Sequence, residues 1–227
     1  MTHVPLEIGS RSRTFTDRRA AGRELARALI HHAGTNALVL GLPRGGVPVA
    51  EEVARVLGAR LDVWVVRKLG APVQPELGMG AIAEGPAVVL DRSIVRGLGV
   101  SRAQIFEVAR REMAEVRRRV ERFRKGRDAP AVEGRTVILV DDGIATGGTT
   151  RAAIHAIKKR RPLRLVLAVP VASPDIVASL AQEVDELVCL FQPVRMYAIG
   201  LWYEDFRQVS DAEVARILRA HDEERGE

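Results

Sequence analysis

Two adjacent carboxylates, Asp141 and Asp142, end the apolar run TVILV in the stretch TVILVDDGIATGGTT (136–150). A loop of Gly, Ala and Thr follows, and a helix starts near Thr149. The first N–H groups of a helix lack partners and carry partial positive charge, so they favour an anion, phosphate above all. Gly147 and Gly148 remove the Cβ atoms that would block close approach, and Thr146, Thr149 and Thr150 offer hydroxyl donors. A carboxylate is a pure acceptor, and a vicinal diol presents two donors. A ribose 5-phosphate satisfies both halves: phosphate on the loop, 2- and 3-hydroxyls on Asp141 and Asp142. Nearby negative charge would also stabilise a sugar that develops positive charge at C1. Two other phosphate motifs fail. The Walker spacing from Gly143 has Thr149 where its lysine belongs, and the dinucleotide fingerprint has Ala145 in place of its second glycine.

A second strand–turn–helix junction, GLPRGGVPVAEEVA (41–54), reads as another anion site, with Arg44 as cation and free N–H groups at Gly45 and Gly46. In VVRKLGAP (65–72), Arg67 and Lys68 fall at the end of the next strand. The segment LFQPVRMYAIGLWYEDF (190–206) gathers both tyrosines and one of the two tryptophans of a chain only 4% aromatic. His3, His31, His32, His155 and His221 fall into no metal-ligand spacing and read as surface or helix residues. The single cysteine, Cys189, lies in an apolar run and reads as inert packing. Trp64 reads as core. No Ser-His-Asp or Cys-His nucleophile pattern is present in context.

Short apolar runs supply the strands that must position these groups: ALVLGL from Ala37, LDVWVV from Leu61, AVVL from Ala87, TVILV from Thr136, LRLVLAVPV from Leu163 and ELVCLF from Glu186. Most are apolar on both faces, as strands covered on both sides are. Helical patterns alternate with them, beginning with the Asp-capped DRRAAGRELARALIHHAG (17–34) and ending with SDAEVARILRAHDEER (210–225). The order predicts an α/β fold, an open and mostly parallel sheet with helices on both faces. Two segments break the rhythm. LGAPVQPELGMGAIAEGP (69–86) has no clear period and predicts a functional loop or disorder. Residues 101–127 carry ten Lys or Arg and four Glu, which equals the whole net charge of +6. Their apolar stripe of Phe106, Ala109, Met113, Val116, Val120 and Phe123 predicts one inserted helix with an Arg-rich solvated face. The absence of any membrane-length apolar run and of a secretory leader predicts a cytoplasmic protein.

The stretch VILVDDGIATGGTT resembles the phosphoribosyl-pyrophosphate loop of the type I phosphoribosyltransferases. The resemblance extends more loosely over most of residues 17–206. It implies that phosphoribosyl pyrophosphate binds with Gly143, Ala145, Thr146, Gly147, Gly148 and Thr149 around its 5-phosphate. It implies Arg44, Gly45, Gly46, Arg67 and Lys68 around the pyrophosphate, with Asp141, Asp142 and Lys68 as the catalytic set. Mg²⁺ is the implied cofactor, held through the substrate and in part by Asp141 and Asp142. Residues 69–86 would be a mobile catalytic loop, and Tyr197, Trp202 and Tyr203 a hood that stacks on an acceptor base. The implied layout is an arm (1–14), then one domain (15–227) with an insert at about 92–130 and a hood at about 190–209. A homodimer is implied, and neither membrane nor nucleic acid is expected as a partner. One departure matters: the 6-oxopurine enzymes carry an acid where this chain has Ala145, which argues against hypoxanthine or guanine as acceptor. The alternative reading is a regulator that binds phosphoribosyl pyrophosphate without turnover and contacts nucleic acid through the basic helix.

Overall fold

A computed structural model describes residues 14–84 and 87–226. The arm expected at 1–14 lies outside the described residues except for Thr14. Five parallel strands form the main sheet: β1 (Leu38–Gly41), β2 (Arg60–Val63), β6 (Thr136–Val140), β7 (Arg164–Val171) and β8 (Glu186–Phe191). Their order is β2-β1-β6-β7-β8. Both faces of β1, β2, β6 and β7 are buried, and the edge strand β8 is mostly half-buried. On one side Val39, Ile138 and Val166 meet α1 (Arg18–Ala28), α2 (Gly46–Leu57) and α7 (Asp211–Arg225). On the other, Leu40, Leu139 and Leu167 meet α5 (Gly148–Lys158) and α6 (Pro174–Ala181). Successive strand residues point to opposite faces, so the continuous apolar runs follow from having helices on both sides.

The run LDVWVV does not form one strand. Trp64 donates its backbone N–H to Gly41 at 3.0 Å, which closes the β1–β2 ladder, and Val65 accepts from Glu84 at 3.1 Å, which opens another. That second sheet is antiparallel, with β3 (Val66–Ala71), β4 (Gln74–Ala83) and β5 (Ala87–Leu90) in order. AVVL therefore leaves the parallel sheet assigned to it. The glycine-rich segment expected to be a loop is mostly a hairpin. Its period is hidden by register shifts on both sides of Gly70, where an added Cβ would lie 2.4 Å from the Pro75 carbonyl oxygen. Arg67 and Lys68 accordingly lie inside β3, not at the end of a strand of the main sheet.

Two helices, α3 (Arg92–Gly97) and α4 (Arg102–Arg124), separate β5 from β6. Ser101 and Gln104 form a reciprocal cap at the start of α4. Its buried stripe differs from the predicted one. Phe106 is 65% exposed, while Val108, Val116 and Phe123 are buried and Ile105, Ala109, Met113 and Val120 pack beside them. Arg124, counted with the solvated face, instead turns inward. It donates to Asp62 at 3.0 Å, to the Val63 carbonyl at 3.0 Å and to Glu84 at 2.8 Å. All three charged groups are buried, so α4 locks the two sheets together at their junction. Among the described residues no helix is long and apolar enough to cross a membrane.

Candidate active site

In an open parallel sheet the crevice lies where neighbouring strands send their connections in opposite directions. Here that point lies between β1 and β6, since the chain moves outward to β2 after β1 and to β7 and β8 after β6. The loops that leave the two strands are the two anion-site candidates. Gly41 pairs with Val140, so both loops emerge at the same height.

They touch through missing side chains. A Cβ on Gly45 would stand 2.0 Å from Asp142 Oδ2, and one on Gly46 would stand 2.7 Å from the Val140 carbonyl oxygen. Only glycine lets the loop of β1 lie against the carboxylates of β6. Gly45→Ala should force the Asp142 carboxylate away from its partners, a clash of the size that costs about 1–3 kcal/mol. Its expected signature is binding of phosphoribosyl pyrophosphate weakened by roughly tenfold or more, with the far-UV circular dichroism unchanged. Titration calorimetry and circular dichroism check this.

Asp142 is held from three sides. Arg18 Nε donates to its Oδ2 at 2.8 Å, Tyr203 Oη donates to its carbonyl at 2.6 Å, and its own N–H donates to Asp141 Oδ1 at 2.9 Å. Arg18 also stacks on Phe206, 3.8 Å from the ring centroid, and donates to the Arg207 carbonyl at 2.8 Å. Arg18 escaped the sequence reading because it sits in a helix start 124 residues away, where its charge looks like any solvated arginine. Burial, and then the adjacent Asp142 charge, hold the Asp141 carboxyl well above the usual carboxylate range. A cation or hydroxyl donors at Asp141 would relieve that.

The loop itself ends on Gly147, in the left-handed region at φ 76°, and α5 begins at Gly148 with no side chain capping it. Its first N–H groups are therefore open to a ligand. Ala145, Thr146, Gly148 and Thr149 are exposed around this start, while Gly143, Gly147 and Thr150 are buried. The second loop is less open than predicted. Its Pro43–Arg44 peptide is cis, and Gly46 N–H is already spent on the Leu42 carbonyl at 3.0 Å. Arg44 is half-exposed and reaches Asp211 at 3.7 Å, which also pairs with Arg122 at 3.0 Å.

The remaining candidates are engaged in other contacts. Arg67 pairs with Glu112 of α4 at 2.9 Å, and Lys68 Nζ donates to the Glu76 carbonyl at 2.9 Å within the hairpin. In the predicted hood, Tyr203 is buried with its hydroxyl spent on Asp142, so it positions the carboxylate loop and has no face left for a base. Burial pushes its phenol far up, which keeps it a donor. Trp202 stacks on Phe191 at 6.5 Å between centroids, and Tyr197 is 82% exposed. Trp64 is core, as read from the sequence. Cys189 is half-buried, and its thiol is pushed up to about 12 by burial.

A family model described as the phosphoribosyl transferase domain matches residues 14–185. The chain belongs to the phosphoribosyltransferase family. It is 50% identical over 208 residues to a protein of two Mycobacterium tuberculosis strains, provisionally named phosphoribosyl transferase. That match covers 91% of this chain but 47% of the relative, so the chain spans about half the length of those relatives. The crystal structure of TT1426 from Thermus thermophilus superposes with a TM-score of 0.81 at 46% identity, covering 90% of this chain and 97% of that one. A protein of Aquifex aeolicus, AQ2163, shares the fold at 13% identity and a TM-score of 0.50, covering 81% of this chain and 78% of its own.

Proposed function

We propose that this phosphoribosyltransferase-family chain moves the 5-phosphoribosyl group from phosphoribosyl pyrophosphate to a nitrogen acceptor. The observation that carries the reading is the junction of Gly45 and Gly46 with Asp141 and Asp142 beside the uncapped start of α5. The 5-phosphate binds at Gly143, Ala145, Thr146, Gly147, Gly148 and Thr149. Asp141 and Asp142 accept from the ribose hydroxyls, and Arg44 with the Gly45–Gly46 turn faces the pyrophosphate. The C1–oxygen bond to pyrophosphate breaks as the C1–nitrogen bond forms, and the acceptor's N–H proton leaves to solvent. The protein contributes position and charge, holding the cationic sugar beside two carboxylates. Hard carboxylate oxygens beside a diol and a pyrophosphate suit Mg²⁺. When bound through the substrate with Asp141 and Asp142, it would neutralise the leaving group's charge.

Seven of the ten cations in 101–127 (Arg110, Arg111, Arg118, Arg119, Arg122, Arg124 and Arg127) have a carboxylate within 4.0 Å. Little of that charge is left uncommitted for a nucleic-acid backbone, which favours the enzyme over the nucleic-acid-binding regulator. The test is pyrophosphate release from phosphoribosyl pyrophosphate and Mg²⁺ with a panel of nitrogen bases. Release is expected with at least one base. Hypoxanthine and guanine should be poor, because Ala145 provides no proton acceptor. Tight substrate binding with no release from any acceptor would overturn the enzyme reading in favour of the regulator.

A further inference from the structure

The other end of the sheet holds a group of side chains with no part in phosphoribosyl transfer. His31 and His32 lie in a 3-10 turn (Ile30–His32) just past α1, and Glu186 is the first residue of β8. His31 Nε2 is 2.9 Å from Glu186 Oε1, and His32 Nε2 is 3.2 Å from Oε2. The donor atoms of all three lie within 4.8 Å of one another. Among the described residues this is the one such grouping of His, Cys, Asp and Glu. We propose that His31, His32 and Glu186 form a site for a divalent transition-metal ion of the zinc class, with one coordination position open to solvent.

The donor set argues for this class. Two imidazole nitrogens and one carboxylate oxygen suit zinc and its neighbours, whereas Mg²⁺ and Ca²⁺ prefer six or more oxygens. Zinc–nitrogen bonds of about 2.0–2.1 Å place tetrahedral donors roughly 3.3 Å apart. The nitrogen–oxygen separations of 2.9 and 3.2 Å are already close to that edge, so small rotations of the rings would admit the ion. The site is also built. Thr35 Oγ1 donates to the His32 carbonyl at 2.7 Å and fixes the turn, and Arg164 donates to Glu186 Oε2 at 3.0 Å and orients the carboxylate. Hydrogen bonds of this outer kind commonly hold metal ligands in place. His32 and Glu186 are largely buried, with side chains 8% and 12% exposed, while His31 at 53% marks the solvent side. A bound ion would pin the end of α1 to the edge strand β8, and the start of the same helix carries Arg18 onto Asp142.

The experiment uses the full chain without an affinity tag, stripped with chelator and titrated with Zn²⁺ against a chromophoric competitor. One ion per chain is expected, together with a rise in melting temperature. Co²⁺ should give the visible absorption of a tetrahedral site. His31→Ala and Glu186→Gln should each weaken Zn²⁺ binding at least tenfold and remove the melting shift. Because His31 is half exposed, its variant should retain the wild-type circular dichroism. His155→Ala, which alters a simple His–Glu183 pair at 2.7 Å, should bind like wild type. Absence of stoichiometric Zn²⁺ binding by the wild-type chain overturns the proposal, as does unchanged affinity in both His31→Ala and Glu186→Gln.

Discussion

Asparagine at both Asp141 and Asp142 should remove measurable binding of phosphoribosyl pyrophosphate. The amide keeps the size of each side chain but takes away the charge, and it turns one of the two acceptor oxygens into a donor facing donors. A hydrogen bond to a charged group contributes about 1.5–3 kcal/mol. Two of them lost correspond to roughly 10² to 10⁴ in affinity. Isothermal titration reads this directly, and retained binding would show that these two carboxylates do not hold the ligand. Stability should move separately. Asp141 is held above the usual carboxylate range, first by burial and then by Asp142. The folded state therefore binds its proton more tightly than the unfolded chain. That contribution to stability is complete below the unfolded value, about 3.9, and is lost as pH rises through the folded value. Above that folded value the ionised carboxylate burdens the fold, so Asp141→Asn alone should melt no lower than wild type at alkaline pH.

Arg124→Met should cause the largest loss of stability. The guanidinium is 4% exposed and holds Asp62 and Glu84 together, and each of those carboxylates has a second oxygen already without a partner. Removing one member of a buried ion group leaves uncompensated charge and costs about 3–5 kcal/mol. For a chain of this size that lowers the melting temperature by roughly 6–20 °C. The pH dependence has a definite sign. Burial raises the Glu84 pKa despite Arg124, and without Arg124 it rises further. The folded variant then holds a proton that the unfolded chain releases above about 4.3, so its stability falls as pH increases through that window. Thermal melts at pH 5 and pH 8 should show a larger deficit, relative to wild type, at pH 8. An equal deficit at both pH values would mean that the loss is packing alone.

Much of the candidate site was legible in one stretch of chain. A strand, two acids and a Gly/Thr loop before a helix carry their chemistry locally, because a phosphate cradle is made from consecutive backbone N–H groups. The strands of the main sheet were equally visible, since burial on both faces leaves unbroken apolar runs. The hairpin at β3 and β4 was not. Its glycines permit register shifts that break the alternation a strand normally shows, and LDVWVV gives no sign that its two halves serve different sheets. The role of Arg124 was hidden too, because one inward-facing arginine among nine other cations looks like surface.

By itself, then, the sequence pointed to a ligand for Asp141, Asp142 and the loop to Thr149, and it determined that helices cover both faces of a parallel sheet. Tertiary structure alone decided that β1 lies beside β6, which brings Gly45 against Asp142 and makes one crevice from two separate loops. It also brought Arg18 and Tyr203 to Asp142 and gathered His31, His32 and Glu186. The physical reason is range. Backbone donors and apolar periodicity are written over a few adjacent residues, whereas these ion pairs and hydrogen bonds join residues 61 to 155 positions apart. Strand order sets those partners, and it is chosen by the packing of the whole core.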